Sequence, residues 1–375
     1  MTERMNVDGR WLDELSRWVS LESPTGDAGA VNRMMDLVAA EAEEAGIAAE
    51  RVPGRDGLGD SVLLRAGPRT DAPAILVLSH LDTVHPVGTL ADLPVRREGD
   101  RLYGPGIYDM KGGAYLALQA FKAVARSGDA ARPMAYLFTP DEEIGSPTTR
   151  GLIEDLARNA AFALVTEPAR DGGKVVTSRK GVGRFDVRIE GHPAHSGSRH
   201  PDGRSAIREA SLQITSIEGM TDYARGVTTT VGTISGGTAQ NVIPQHCRFS
   251  VDLRVATAQD GEEFARRILA LAPVGPDIRV TVTGGMNRPP YERTDANAAL
   301  YERARALADG LGFALGEVPR TGGGSDGNFT AALGVPTLDG LGIDGDGAHT
   351  LAEYALVSSI APRADLMAGL LRTLR

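Results

Sequence analysis

Three short apolar runs in this sequence are each followed closely by side chains that can bind a metal ion. The runs cover residues 74–78, 134–138 and 161–165, and the side chains that follow them are His80, Glu142 with Glu143, and Glu167. Apolar runs of this length are typical of buried strands. In open α/β sheets, functional sites form at the carboxyl ends of the strands. The pattern therefore predicts a buried sheet with reactive side chains along one edge.

Two more clusters extend the set of candidate ligands. Asp109 lies in a glycine-rich turn before an amphipathic segment, and His349 follows the apolar residues 335–343. Two histidines and three carboxylates form a ligand set that suits zinc or a neighbouring divalent ion. Taken singly, each cluster is more often an acidic turn, a helix start or a loop histidine. Their conjunction, mostly at strand ends, favours a metal site.

The order of predicted elements indicates two domains in a chain of 375 residues, which is too long for one compact core. Strands and helices alternate through residues 1–178 and again through residues 290–375, which predicts an α/β fold with a mostly parallel sheet covered by helices. Between them, residues 179–289 follow a β-α-β-β-α-β order, typical of a ferredoxin-like module with an antiparallel sheet. We therefore expect an inserted α+β domain within a discontinuous α/β domain.

Composition narrows the class of protein without identifying it. The net charge of −9 and the pI near 5.4 argue against nucleic acid or an anionic membrane as a partner. The single cysteine, Cys247, excludes an internal disulfide, and its strand-like surroundings predict a small buried side chain. Residues 1–10 are polar and no apolar run is long enough to span a bilayer, so we expect a cytoplasmic protein.

The clusters, in this order, resemble the dinuclear-zinc exopeptidase and deacylase family of carboxypeptidase G, acetylornithine deacetylase and succinyl-diaminopimelate desuccinylase. The resemblance extends from Trp11 to the last predicted helix. It implies a zinc-exopeptidase-like fold and two divalent ions per chain, with Zn²⁺ expected and Co²⁺ or Mn²⁺ as alternatives. The implied ligands are His80, Asp109 and Glu167 for one ion and Asp109, Glu143 and His349 for the other, with Asp109 bridging.

The same resemblance implies roles for two acidic residues that are not ligands. A divalent pair lowers the pKa of a bound water and polarises the scissile carbonyl. Glu142 matches the general base that accepts the proton of this water and passes it to the leaving amine. Asp82 matches the carboxylate that accepts from the free N–H of His80 and fixes its tautomer, although a turn-forming role for Asp82 is the alternative.

Further matches concern the substrate and fall mostly in the insert, which the resemblance makes a lid and dimerisation domain. In residues 191–197, His195 matches a histidine that reaches across a dimer interface to the carbonyl oxygen of the substrate. The matches to substrate-binding positions are Asn241, Arg254, Arg288, Gly324 and Lys174. Each arginine alone is more commonly a solvated charge. One departure is the turn of residues 104–106, which lacks the usual basic residue but contains no ligand.

These features predict a metal-dependent hydrolase of the amide bond in a small N-acyl amino acid or a peptide. Because guanidinium groups bind carboxylates, the leaving amino acid is expected to carry a free carboxylate. The spacing is most similar to carboxypeptidase G, so glutamate is a plausible leaving group. Val176 replaces a hydroxyl of that enzyme, however, and an N-acetyl or N-succinyl amino acid deacylase is the alternative. The alternative from another functional class is a non-catalytic homologue that binds peptides or amino acids. We also expect a homodimer formed through the insert.

Overall fold

The computed structural model describes residues 9–375 of the chain, so most of the polar N-terminal segment lies outside the described residues. The internal contacts divide the chain into two compact units. Unit 1 contains the described residues up to Ser178, together with Arg293–Thr321 and Ser325–Arg375. Unit 2 contains Arg179–Glu292 and Gly322–Gly324. No helix among the described residues is long and apolar enough to cross a membrane.

The secondary structure alternates between strands and helices along most of the chain. The strands are β1 (Ala49–Val52), β2 (Ser61–Ala66), β3 (Ala74–His80), β4 (Arg96–Glu98), β5 (Arg101–Tyr103), β6 (Met134–Thr139), β7 (Ala160–Val165), β8 (Val175–Val176), β9 (Gly181–Glu190), β10 (Ala194–His195), β11 (Thr228–Gly236), β12 (Val242–Ile243), β13 (His246–Val255), β14 (Arg279–Arg288), β15 (Glu317–Val318), β16 (Thr337–Leu338), β17 (Gly345–Asp346) and β18 (Tyr354–Leu356). The helices are α1 (Gly9–Ser20), α2 (Ala28–Glu44), α3 (Gly112–Ser127), α4 (Arg150–Ala157), α5 (Ala206–Glu218), α6 (Ala258–Leu269), α7 (Asp295–Leu311), α8 (Gly327–Ala332) and α9 (Ile360–Thr373).

The main sheet of unit 1 has the strand order β1-β2-β6-β3-β7-β16. The pairs β6–β3, β3–β7 and β7–β16 are parallel, whereas β1–β2 and β2–β6 are antiparallel. The predicted α/β fold with a mostly parallel sheet is therefore confirmed. The three apolar runs of the sequence form β3, β6 and β7, which are adjacent at the centre of this sheet. Their carboxyl ends consequently meet at one edge.

Helices cover both faces of this sheet because its central strands are apolar on both sides. On β3, Ile75 and Val77 belong to one cluster of buried side chains, which also contains residues of α1, α2, α3, α7 and α9. Leu76 and Leu78 belong to a second cluster, with Ile153 of α4 and residues of α8. In the sequence, a strand that is buried on both faces is a continuous apolar run, without alternation between apolar and polar residues.

Unit 2 contains an antiparallel sheet with the strand order β11-β13-β9-β14 and two helices, α5 and α6. Together with those helices, the long strands follow a β-α-β-β-α-β order along the chain. Alternate residues of β9, including Phe185 and Val187, are buried against the helices, and Cys247 of β13 is buried among them. The opposite face of this sheet carries exposed polar residues, which explains the alternating pattern of the sequence.

Helix starts agree with the sequence where a capping side chain is present. Asp27 accepts a hydrogen bond from the backbone N–H of Ala30 at the start of α2, and Ser205 caps α5 in the same way. One short strand covers only part of its apolar run. Within residues 335–343 the strand is only Thr337–Leu338, because the chain leaves the sheet at Asp339, whose N–H donates to the carbonyl of Val176.

Candidate metal centre and active site

His80 occupies the carboxyl end of β3, at the centre of the main sheet. Its register partner on β6 is Thr139, so the segment that carries Glu142 begins directly beside it. On the other side, β7 ends at Val165, two residues before Glu167. The parallel register therefore delivers the ligand candidates from three strands to one edge, as the sequence predicts. His80 itself is 2% exposed.

The two oxygens of Asp109 face different histidines. Its Oδ1 lies 3.3 Å from Nε2 of His80, and its Oδ2 lies 3.4 Å from Nε2 of His349. Nε2 of His80 is also 3.7 Å from Oε1 of Glu167, and Nε2 of His349 is 3.2 Å from Oε2 of Glu143. These contacts form two groups of three side chains that share Asp109. By the mutual distances of their ligand atoms, two groups of side chains could each hold an ion, namely His80 with Asp109 and Glu143, and His80 with Glu142 and Glu167.

The distances between these side chains fit tetrahedral coordination. Bonds of about 2.0–2.1 Å at tetrahedral angles place neighbouring ligand atoms about 3.3–3.4 Å apart. The N···O separations around Asp109 lie close to this value. Oε1 of Glu143 is buried and has no hydrogen-bond partner among the described residues. A buried carboxylate oxygen without a donor is costly, and a cation would satisfy it. The residues present therefore fit a pair of divalent ions.

The charges of the site point the same way. Hydrogen bonds to Asp109 and Glu143 raise the pKa of His349 to about 10. Burial disfavours the charged form of His80, but hydrogen bonds to Asp109 and Asp82 raise its pKa well above the usual value. Burial also raises the pKa of Glu143 to about 7. The carboxylates of the cluster thus carry more negative charge than the neighbouring basic groups balance. In a chain without metal, protons bound to the two histidines balance the rest.

Asp109 itself stays ionised despite its burial. Burial opposes its charged form, but hydrogen bonds and charge from His349 and His80 outweigh this cost and hold the pKa of Asp109 well below its usual range. The peptide bond between Asp109 and Met110 is cis. His349, on the opposite side of Asp109, has a φ of +65°, in the left-handed region that residues other than glycine rarely occupy. A left-handed φ at a residue other than glycine, as at His349, is common at functional sites.

Asp82 faces His80 with its backbone carbonyl as well as with its carboxylate. The Nδ1–H of His80 donates to the backbone carbonyl of Asp82 at 2.9 Å, whereas the nearer carboxylate oxygen is 3.5 Å away. The carbonyl therefore fixes the tautomer that leaves Nε2 free for a metal. The carboxylate instead accepts from the backbone N–H groups of Glu142 and Glu143, at 3.1 and 3.2 Å, and from the hydroxyl of Thr25 at 2.7 Å.

Two buried acidic side chains hold the segment after β6 in place. The sequence analysis does not predict this structural role. Asp141 accepts from the N–H and the hydroxyl of Thr148, both at 2.7 Å, and this closes the turn that carries Glu142. Asp326 accepts from Thr139 at 3.0 Å and from Ser146. The signal for Asp326 was its place in the Gly-rich segment 322–326, but only the structure supplies its partners.

Gly113 and Gly342 explain how the backbone segments of the site approach each other closely. A Cβ at Gly113 would lie 2.1 Å from the carbonyl oxygen of Thr166, and one at Gly342 would lie 2.2 Å from the same atom. Thr166 directly precedes the candidate ligand Glu167. Only glycine lets the start of α3 and the segment after β16 pack this tightly against it.

Unit 2 holds His195 on the short strand β10 and Asn241 directly before the neighbouring strand β12. β10 pairs with β12, and the N–H of Ser196 donates to the carbonyl of Asn241 at 3.0 Å. Nδ1 of His195 accepts from the N–H groups of Gly197 and Ser198, both at 3.2 Å. A neutral His195 therefore carries its proton on Nε2, which can donate a hydrogen bond.

The two candidate arginines of unit 2 flank the same residue. Arg254 on β13 and Arg288 on β14 both pair with Val182 of β9, from its two sides. Arg288 is buried, and a Cβ at Gly324 would lie 2.7 Å from its Cδ. Arg254 is half-buried and makes two hydrogen bonds to Asp252, at 2.7 and 2.9 Å. Its guanidinium is thus already paired within unit 2.

Lys174, the remaining candidate, belongs to unit 1. Its side chain is exposed, and its backbone pairs with that of Arg170. The neighbouring Val176 is fully buried on β8. The structure therefore brings the metal ligands together in unit 1, brings two pairs of substrate candidates together in unit 2, and leaves Lys174 at the surface.

Comparison with known proteins agrees with this centre. Residues 76–373 match the model of peptidase family M20/M25/M40. Carboxypeptidase G2 of Pseudomonas sp. is 32% identical over 372 residues, which cover 97% of this chain and 89% of that protein. Succinyl-diaminopimelate desuccinylase of Delftia acidovorans is 28% identical, with 94% and 95% covered. The M20 family metallo-carboxypeptidase Sso-CP2 of Sulfolobus solfataricus superposes with a TM-score of 0.78 at 16% identity, with 98% and 99% covered.

The chain belongs to the M20 peptidase family. It is therefore an enzyme that hydrolyses amide bonds with the help of bound metal, in a family of dinuclear metal-binding peptidases whose members include carboxypeptidases and deacylases. The predicted resemblance is confirmed, and the alternative of a non-catalytic binding protein is excluded. In this M20 enzyme the cluster around Asp109 is the candidate metal centre.

Proposed function

We propose that this M20 enzyme cleaves the amide bond of an acyl-amino acid or a short peptide whose leaving amino acid is glutamate. The observation that carries the proposal is the pair of ligand groups sharing Asp109, with Glu142 beside them. Identity of 32% to carboxypeptidase G2 over nearly the whole chain supports a carboxypeptidase rather than another member of the family. The basic residues Lys174 and Arg288 supply charge for a substrate carboxylate.

Two divalent ions bound by these residues would supply a Lewis acid that polarises the scissile carbonyl and activates water. His80, Asp109 and Glu167 would hold one ion, and Asp109, Glu143 and His349 the other. Zinc is the proposed metal, because nitrogen and carboxylate donors at these spacings suit it. Cobalt and manganese are the alternatives for the same donors.

Glu142 is the proposed general base. Its Oε2 is 4.0 Å from Nε2 of His80, farther than the nearest oxygen of Asp109 or Glu167. The side chain therefore lies beside the proposed ions, where it would take a proton from the attacking water. The bond from its N–H to Asp82 holds its backbone in place. The same carboxyl group then passes the proton to the nitrogen of the leaving amine.

His195 is the proposed donor to the carbonyl oxygen of the substrate, where negative charge develops. Its protonated Nε2 suits that role. His195 belongs to unit 2 and every ligand belongs to unit 1. We propose that a second copy of the chain supplies it. Asn241, Arg254, Arg288 and Gly324 are proposed to contact the substrate with it, although the Asp252 pair leaves Arg254 less available than Arg288.

A homodimer through unit 2 is the proposed assembly. β11 is an edge strand whose residues from Thr233 to Gly236 are exposed, and Ile234 on it is 55% exposed. Exposed edge strands are prone to pair with another chain. Ile207 and Leu212 of α5 are also exposed apolar residues. An edge strand and a helix with exposed apolar residues are suited to pairing with a second copy.

A deacylase of N-acetyl or N-succinyl amino acids is the second candidate. Identity of 28% to a succinyl-diaminopimelate desuccinylase covers nearly the full length of both chains. The buried Val176, which lacks a hydroxyl for a side-chain carboxylate, favours this candidate over the glutamate carboxypeptidase.

A substrate panel separates the two candidates. Protein loaded with Zn²⁺, Co²⁺ or Mn²⁺ would be assayed with N-benzoyl-glutamate, N-benzoyl-alanine, N-acetyl-ornithine and N-succinyl-diaminopimelate. The carboxypeptidase proposal expects the highest kcat/KM for the benzoyl-glutamate. Glu142→Gln protein from the same preparation is the control for contaminating hydrolases. Preference for the acetyl or succinyl compounds would replace the first candidate with the second.

A further inference from the structure

The carboxylate of Glu353 is fully buried and accepts four hydrogen bonds. Its Oε1 accepts from the backbone N–H groups of Tyr108 and Asp109, at 2.8 and 2.9 Å. Its Oε2 accepts from the N–H of Gly106 at 2.9 Å and from Nε2 of His85 at 2.8 Å. An ionised carboxylate has about four lone-pair sites, so this one has no spare capacity.

These four bonds join three segments that each carry a candidate metal ligand. Gly106 and Tyr108 belong to the loop of Asp109. His85 belongs to the segment that follows His80. Glu353 itself follows His349 by four residues and is attached a second time, because its carbonyl accepts from the N–H of Gly104 at 3.4 Å. One side chain therefore connects the loops of both histidines to the loop of the bridging aspartate.

We propose that Glu353, supported by His85, is a positioning residue that aims the two oxygens of Asp109 at the two histidines. The proposal rests on the proposed metal centre and adds a residue that contacts neither metal nor substrate. The N–H of Asp109 is bound directly, so the backbone from which the bridging side chain extends is fixed at its origin. Because a bridging carboxylate binds both ions, a small rotation of its backbone would move its oxygens at both metal sites.

The charge of the surroundings is consistent with an anion at this position. Lys111, two residues after Asp109, is fully buried and interacts electrostatically with Glu353. Its Nζ donates to the carbonyl of Leu21 at 2.5 Å. Burial lowers the pKa of Lys111 to about 7, so the cost of burying the Glu353 carboxylate is offset mainly by its own four donors, three backbone N–H groups and an imidazole N–H.

The sharpest test replaces Glu353 with glutamine, which keeps the shape. Glutamine has one acceptor oxygen, and its NH2 group would face two of the four donors. The readout is titration of the metal-free protein with Co²⁺, followed through the visible absorption of the bound ion. We expect Glu353→Gln to weaken binding by about 10–100-fold, the usual effect of losing an outer partner of a ligand, and to change the Co²⁺ spectrum. The value of kcat should fall while KM changes little.

Glu209 provides a matched control. It is a buried glutamate of α5 that accepts from the N–H groups of Val274 and Gly275, at 2.8 and 3.0 Å, in unit 2. Glu209→Gln should lower the melting temperature without altering the Co²⁺ titration or spectrum. Equal Co²⁺ binding by wild type and Glu353→Gln, with an unchanged spectrum, would overturn the proposal.

A pair of variants at His85 decides the matter if Glu353→Gln does not fold. His85→Leu removes one donor, and His85→Gln restores a nitrogen donor at the position of Nε2. We expect the leucine variant to change the Co²⁺ spectrum and the glutamine variant to recover it. Absence of a change in the leucine variant would contradict the proposal.

Wild-type protein that binds two Co²⁺ ions but hydrolyses no substrate would reject the proposed function alone. The Co²⁺ titration that tests Glu353 does not depend on turnover.

Discussion

The N–H of Glu142 donates to the carboxylate of Asp82 at 3.1 Å, so Asp82 holds the backbone of the proposed general base. Asp82→Asn should therefore retain both metals but lower kcat by about 10–100-fold, as other changes to outer partners do. Metal content and kcat measured on the same sample check this. Thr25→Val, which removes only the hydroxyl partner, should have the smaller effect. Loss of metal in Asp82→Asn would show instead that its main role is at His80.

Glu142→Gln should keep the metals and lose activity, because the proton acceptor is removed while all ligands remain. We expect kcat to fall by at least about 10²–10⁴-fold, the usual contribution of general-base assistance. Elemental analysis and steady-state rates provide the two measurements. Glu143→Gln, one residue along, should show the opposite pattern and lose metal. Glu142→Gln protein with more than about a tenth of wild-type turnover would reject the assignment.

The shared position of Asp109 predicts two ions about 3.5 Å apart, as in other two-metal sites. Asp109→Ala should lose both ions, whereas Glu167→Ala should retain the one that Glu143 and His349 contact. Anomalous scattering and elemental analysis on fully loaded protein measure position and number. At most one ion per wild-type chain would contradict the dinuclear centre.

The close approach at Gly113 predicts a large effect from one methyl group. A Cβ there would lie 2.1 Å from the carbonyl oxygen of Thr166, so Gly113→Ala must displace the segment of Glu167. We expect a loss of about 1–3 kcal/mol in the free energy of unfolding, as for other overpacked sites, and weaker metal binding. Gly151→Ala is the matched control, because nothing lies within 4 Å of a Cβ at that exposed helical position. It should raise stability by about 0.4–1 kcal/mol.

The proposed dimer predicts that two inactive variants restore each other. If His195 acts on the partner's site, a dimer of one His195→Ala chain and one Glu142→Gln chain has one intact site of two. With random pairing in a symmetric dimer, a 1:1 mixture should reach about a quarter of wild-type activity. Subunit exchange must be confirmed with differently tagged chains. A mixture that exchanges but stays inactive would show that His195 acts within its own chain or has no role.

Much of the fold could be predicted because its elements are encoded by local patterns. The apolar runs that became β3, β6 and β7 are short and continuous, and runs of this length are typical of buried strands. β16 covers only a small part of the apolar residues 335–343, because its end depends on a distant partner, Val176. The apolar content of a segment alone does not predict where the chain leaves the sheet.

By itself the sequence determined which side chains could form the metal centre. The candidate ligands follow strands that local apolar runs encode, and the clusters occur in a recognisable order. Only the tertiary structure decided which groups hold those ligands in place. Asp82 and Glu142 are separated by 60 residues, and Gly106 and Glu353 by 247. A carboxylate accepts from whichever N–H groups the folded backbone brings to it, and no local pattern specifies partners so far apart. The candidate catalytic residues could therefore be named from the sequence, whereas His85 and Glu353, which are proposed to support them, could be found only from the folded loops.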